Sequence, residues 1–108
     1  MNIIPTRAFQ NKFKQLLKKY HKLSDDYIAL LESLQNNPTQ GVKIRGNTFK
    51  VRMKITAKGK GKSGGARVIT LVKIEDDELY LITIYDKSER ENISDNELDD
   101  LINGIEIL

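Results

Sequence analysis

The apolar residues of this chain change period near Thr48, and that change restricts its fold more than any other feature. Before it, Phe9, Phe13, Leu16, Leu17 and Tyr20 follow helical spacing, with Thr6 placed as an N-cap. Tyr27, Ile28, Leu31 and Leu34 predict a second helix, capped by Ser24 or Asp25 and ended by Asn36-Asn37-Pro38. So few residues separate the two that an antiparallel helix hairpin is expected. From Thr48 the period is two: Phe49, Val51, Met53 and Ile55 alternate with Lys50, Arg52 and Lys54, a half-buried strand with a basic outer face. Ala66–Ile74 and Leu79–Tyr85 are β-branched and apolar enough for central strands, joined by the acidic turn Glu75-Asp76-Asp77-Glu78. Ser94-Asp95-Asn96-Glu97 has the form of a capping box. It opens a last helix with Leu98, Leu101, Ile102 and Ile105 on one side. Met1–Ile4 is a candidate edge strand. The 108 residues leave room for a single domain, 1–108, of the α+β class. Its expected form is an antiparallel sheet with an N-terminal helix hairpin and a C-terminal helix.

Strand parity decides which side chains meet. An odd-length turn after Ile74 sets Arg67 across from Tyr85 or Lys87 on one face; a two-residue turn separates them. The odd turn is favoured because it groups Val68, Val72, Ile82 and Ile84 on one side. Ile69, Leu71, Leu79 and Leu81 then lie on the outer face, under Leu98, Leu101 and Ile102. The outer face is left with an apolar end below the last helix and an open basic end, and that end is the candidate site.

Net charge, +3, conceals how the charges are placed. Residues 33–74 hold ten Lys and Arg and no carboxylate, whereas residues 75–108 hold twelve acids and two bases. A segregated field of this kind suits a polyanion, although a basic stretch folded against an acidic one would look the same. The chain has no cysteine, which excludes disulfides, zinc thiolates and cysteine nucleophiles. No apolar run approaches a membrane span of roughly 18 residues, and Met1–Ile4 before Pro5 does not read as a secretory signal. A cytoplasmic location away from membranes is expected.

Gly61-Lys62-Ser63 echoes a phosphate-binding loop but fails the pattern, since Thr56 stands where the first Gly belongs and a strand follows. The single His21 excludes a two-histidine nuclease, and no acidic pair interleaves with the basic strands as two-metal cleavage requires. No metal or other cofactor is expected. What is left is Arg, Lys and Tyr, which suit RNA cleavage by the RNA's own 2′-hydroxyl. Cations stabilise the charge that grows on the phosphoryl oxygens. A base must take the hydroxyl proton and an acid must protonate the leaving 5′-oxygen. A cluster of cations is expected to lower Lys and Tyr pKa values enough for either to serve. The same cations could equally bind phosphate without chemistry.

Two motifs carry a family resemblance. Lys58 to Ile69 contains Gly61-Lys62-Ser63-Gly64-Gly65-Ala66-Arg67, and Leu81 to Ser94 contains Tyr85-Asp86-Lys87-Ser88-Glu89. Together they resemble the RelE/ParE toxin superfamily, more narrowly the HigB-like RelE branch of type II toxin–antitoxin systems. The resemblance extends over nearly the whole chain and implies a RelE-like, microbial-RNase-like fold. It also implies a metal-independent endoribonuclease that cuts mRNA in the ribosomal A site and is silenced by a cognate antitoxin, with operator DNA reached only through that antitoxin. Carried over by position, Arg67 and Lys87 stabilise the scissile phosphate, and Tyr85 stacks or transfers a proton. Lys50, Arg52 and Lys54 hold mRNA, and Lys58, Lys60 and Lys62 extend that RNA-binding surface. RelE has a tyrosine near the last helix where this chain has Ile93, which leaves the general base unassigned. The alternatives are a ParE-like inhibitor of DNA gyrase and a non-catalytic nucleic-acid-binding module.

Overall fold

The computed structural model describes residues 1–58 and 64–107. In chain order its elements are β1 (Asn2–Pro5), α1 (Arg7–Lys19), α2 (Leu23–Asn36), β2 (Val42–Arg45), β3 (Thr48–Met53), β4 (Ala66–Lys73), β5 (Glu78–Asp86) and α3 (Asp95–Ile107). They form one sheet in the order β1-β5-β4-β3-β2. β1 pairs parallel with β5 and the other pairs are antiparallel, so the sheet is mixed where a wholly antiparallel one was expected. A parallel partner is open to β1 because the chain between the two strands, which runs through the helix hairpin and then β2, β3 and β4, supplies the long crossover that such pairing needs. β2 adds to the expected order. Val42, Lys43 and Arg45 are exposed, so it carries no apolar alternation.

The Thr6 hydroxyl accepts from the Phe9 N–H at 3.1 Å and caps α1 as its position suggested. α2 starts earlier than expected, at Leu23, with Lys22 at its cap position and no side-chain cap bond, so neither Ser24 nor Asp25 caps it. Asp25 and Asp26 occupy the first turn instead, where the helix dipole favours carboxylates. The earlier start makes Leu23, Leu30 and Leu34 the buried stripe, and Ile28 lies off it, 54% exposed rather than inward.

The main departure from simple alternation is in β5. Arg67 pairs with Tyr85 and Ile69 with Thr83, but Thr70 pairs with Leu81, so β5 holds one extra residue at Ile82. The turn is even, not odd: Lys73 pairs with Glu78 and encloses residues 74–77, with Asp77 left-handed at φ 54°. The bulge compensates for the even turn and restores Arg67 opposite Tyr85. It also moves every side chain before it to the other face. Leu79 and Leu81 therefore pack with Val68, Val72 and Ile84 under the hairpin, and Ile82 joins Ile69 and Leu98 under α3. That assignment is the reverse of the expected one for these three β5 residues.

The bulge is held from outside the sheet. The Thr6 N–H donates to the Leu81 carbonyl at 3.1 Å, and its hydroxyl bonds the Leu81 and Ile82 carbonyls at 2.9 and 3.2 Å. Thr6 thus caps α1 and satisfies acceptors that an interrupted ladder leaves free. The interior has one anomaly. Thr70 is fully buried and its hydroxyl has no partner among the described residues. An unpaired hydroxyl costs about 1–3 kcal/mol, so Thr70→Val should stabilise the protein by about 1 kcal/mol. Urea unfolding should show a higher midpoint with an unchanged slope.

Candidate nucleic-acid interface

On the face opposite the hairpin, β3, β4 and β5 set Arg52, Arg67 and Tyr85 in one row across the sheet. Arg52 is exposed, whereas Arg67 is 4% exposed. The one hydrogen bond of the Arg67 guanidinium among the described residues runs from Nη1 to the Ala66 carbonyl, 3.1 Å away. No ion pair among the described residues includes Arg67, Arg52, Lys54 or Lys87. Burial disfavours the Arg67 charge and neighbouring Arg52 disfavours it further, so its pKa is lowered, with Tyr85 and Glu91 acting weakly against. An arginine stays protonated even so. A buried cation without a counter-ion is unfavourable in isolation, and an anion from outside would relieve that cost.

Tyr85 behaves differently from the expectation that cations would lower its pKa. Burial is the larger influence and raises it, against Arg90 and Arg67. Its hydroxyl donates to the Glu91 carbonyl at 3.2 Å, and the Arg90 guanidinium lies 5.0 Å above its ring. Arg90 is fixed by a two-pronged bond to Glu97, Nη2 to Oε1 at 2.7 Å and Nη1 to Oε2 at 3.2 Å, and also donates to the Asn92 carbonyl. Glu97 is the last residue of the predicted capping box. Ser94 does its half by accepting from the Glu97 N–H, while the Glu97 carboxylate serves Arg90. Sequence reasoning missed Arg90, because its contacts cross a turn and have no periodic spacing.

The other candidate residues divide. Lys50 lies one step along the same face and donates to Asn92 Oδ1 at 3.0 Å. Lys54 is exposed beyond the end of β3. Lys87 follows β5, half-buried, with its N–H on the Gly65 carbonyl at 3.1 Å. Lys58 does not join the row. Its ammonium is bound at 2.7 Å to Asp86 Oδ1, a carboxylate with no exposed surface that sits beside Tyr20, the residue that caps the end of α1. Lys60 and Lys62 lie outside the described residues, as does most of the expected basic loop.

Among the described residues no three of His, Asp and Glu form a group that could hold a metal ion. No helix among them is long and apolar enough to cross a membrane.

A helix hairpin and a terminal helix on opposite faces of one small sheet, with an arginine row on the second face that has no ion pair among the described residues, define a small α+β domain with a surface suited to an anion. Residues 6–103 match the family model described as the RelE toxin of the RelE/RelB toxin–antitoxin system, and the chain belongs to that family. It is thus a toxin-family member of type II toxin–antitoxin systems. The fold is also similar to that of the E. coli toxin RelE, solved in the free state with two arginines replaced by alanine. The TM-score is 0.61 at 10% identity, over 96% of each chain. The match is to the RelE family as a whole; the HigB-like branch rests on the motifs alone.

Two predictions follow from how the row is held. A Cβ on Gly65 would collide with the Met53 carbonyl, whereas one on Gly64 would meet open space. Gly65→Ala should destabilise by about 1–3 kcal/mol through forced separation of β3 from β4, and Gly64→Ala should fall close to wild type in the same thermal unfolding series. For Asp86, burial alone would raise the pKa. Bonds from Lys58, Tyr20 and Ser88 outweigh it and hold the carboxyl far below its usual range. A depressed folded pKa stabilises fully above the unfolded value and fades as pH falls below it. The stability gap between wild type and Asp86→Asn should therefore be widest at neutral pH and shrink below pH ~4, as measured by denaturant unfolding across pH.

Proposed function

We propose that this protein is a ribosome-dependent mRNA endonuclease that works without a metal, cuts mRNA in the A site of the cytoplasmic ribosome and is silenced by a partner antitoxin. The observation that carries this reading is Arg67, a buried guanidinium with no ion pair among the described residues, beside Arg52 and Tyr85. In the reaction the 2′-oxygen attacks the adjacent phosphorus, the bond from phosphorus to the 5′-oxygen breaks, and a 2′,3′-cyclic phosphate forms. Charge grows on the non-bridging oxygens, where Arg67 and Arg52 offer fork-shaped donors and Lys87 a further cation. One proton leaves the 2′-hydroxyl and one arrives on the 5′-oxygen.

The raised pKa of Tyr85 and its bond to the Glu91 carbonyl suit a stacking surface that holds Arg90, not a base. Lys50, Arg52 and Lys54 supply the surface along which mRNA lies. A segment with ten bases and no acid needs cover when the toxin is off, so the antitoxin is expected to present carboxylates.

The test is primer extension on a defined mRNA with and without ribosomes. Wild type should cut only with ribosomes, and Arg67→Ala should cut about 10²–10³-fold more slowly. The variant should unfold at the same or a higher urea concentration, because it removes an unpaired buried charge. A protein that arrests growth yet cuts no RNA would overturn the nuclease reading in favour of a gyrase-type toxin.

A further inference from the structure

Asp86 lies at the junction of three segments, and its polar atoms are saturated. Oδ1 accepts from Lys58 Nζ at 2.7 Å, from the Ser88 N–H at 2.9 Å and from the Ser88 hydroxyl at 2.8 Å, and Oδ2 accepts from the Tyr20 hydroxyl at 2.7 Å. Lys58 spends a second donor on the Gly64 carbonyl at 2.9 Å, across the mouth of the Gly/Lys segment. Next to it the Lys87 N–H holds the Gly65 carbonyl. The stalk that leads to Lys58 is gripped at its other end, where buried Asp26 accepts from the Thr56 N–H at 2.9 Å and from its hydroxyl. Asp86 pairs with Ala66 in the ladder, one step from the Arg67–Tyr85 pair and on the opposite face. The end of α1, both sides of the Gly/Lys segment and the turn that carries Lys87 therefore meet at one carboxylate.

We propose that Asp86 is a positioning residue for the arginine row, and that Lys58 acts on cleavage through Asp86 and not by touching RNA. This deepens the nuclease reading and rests on it. A salt bridge without catalytic consequence could be broken anywhere on the surface at little cost. Here the carboxylate has no exposed surface and its lysine is one-fifth exposed, so removal of either partner strands a charge in the interior. The segments it joins carry Lys87 and begin the strand that bears Arg67. Displacement of about 1 Å at such a point is enough to cost about 100-fold in rate.

The experiment is a double-mutant cycle of Lys58→Met and Asp86→Asn, read in ribosome-dependent cleavage. Each single variant should lose about 100-fold. The double variant, with neither charge left buried, should regain most of that loss. A Lys58 that binds RNA predicts the opposite: Lys58→Met is defective, Asp86→Asn does not worsen it, and the double shows no recovery. That result would overturn the proposal, as would an Asp86→Asn variant with wild-type rate. Tyr20→Phe removes one bond to Asp86 and leaves both charges, so it reports on the same junction if a single variant fails to fold, and a wild-type rate there in that case would overturn it.

Hydrogen exchange at the Lys87 and Ser88 amides gives a readout free of cleavage. Coupled loss of protection in the singles, recovered in the double, supports the anchoring, and additive losses overturn it. A wild-type protein that cuts nothing overturns the nuclease reading and the effect of Asp86 on cleavage with it, while the exchange cycle still decides whether the junction anchors the turn.

Discussion

The pairing of β4 with β5, with its single extra residue at Ile82, determines the rest of the molecule. These two strands lie at the centre of the sheet, and both their faces are covered. With an even turn and no bulge, Arg67 would sit between residues of the opposite parity, and Tyr85 would point into the hairpin core. The extra residue lets one pair of strands satisfy two demands. Leu79 and Leu81 reach the hairpin near the turn, and Arg67 and Tyr85 share the other face at the far end. A bulge costs a ladder bond and Thr6 supplies the compensation, so this departure from regularity is built into the fold.

The second organising fact is electrostatic selection. The acidic C-terminal third does not neutralise the basic middle indiscriminately. Asp86 takes Lys58, Asp99 takes Arg45, Glu89 takes Lys19 and Glu97 takes Arg90. Those acids engage cations at the margins and leave the Arg52–Arg67 row without an ion pair among the described residues. A cation buried this way is retained against its own desolvation, at a local cost in stability.

Much of this was legible from residue spacing, and the misses have physical causes. The switch of period at Thr48, the Thr6 cap and the helix opened by Ser94 all rest on local chemistry, and local chemistry decided them. Arg67 was placed opposite Tyr85 for the wrong reason: alternation counts residues but does not reveal where one is extra. Ile28 was read as buried because apolar residues at 27, 28 and 31 fit two nearly equal stripes, and the choice between them was set by where α2 begins. β1 joins in parallel, an outcome that depends on a crossover and not on its four residues. Arg90 and the diversion of Lys58 to Asp86 belong to contacts across turns and between distant segments. Charge counting finds those residues but cannot pair them.

Thr6 has a consequence for how the chain comes to be. Its hydroxyl bonds carbonyls 75 and 76 residues later in sequence, so the register of the central strands is secured by two segments far apart along the chain. Long loops of this kind close late and slowly. During synthesis the helix hairpin emerges well before β5 exists, and Arg67 has no Tyr85 beside it until residue 85 clears the ribosome's tunnel. A chain interrupted anywhere before that point lacks the assembled row. The toxin's own synthesis is thereby separated in time from its assembly.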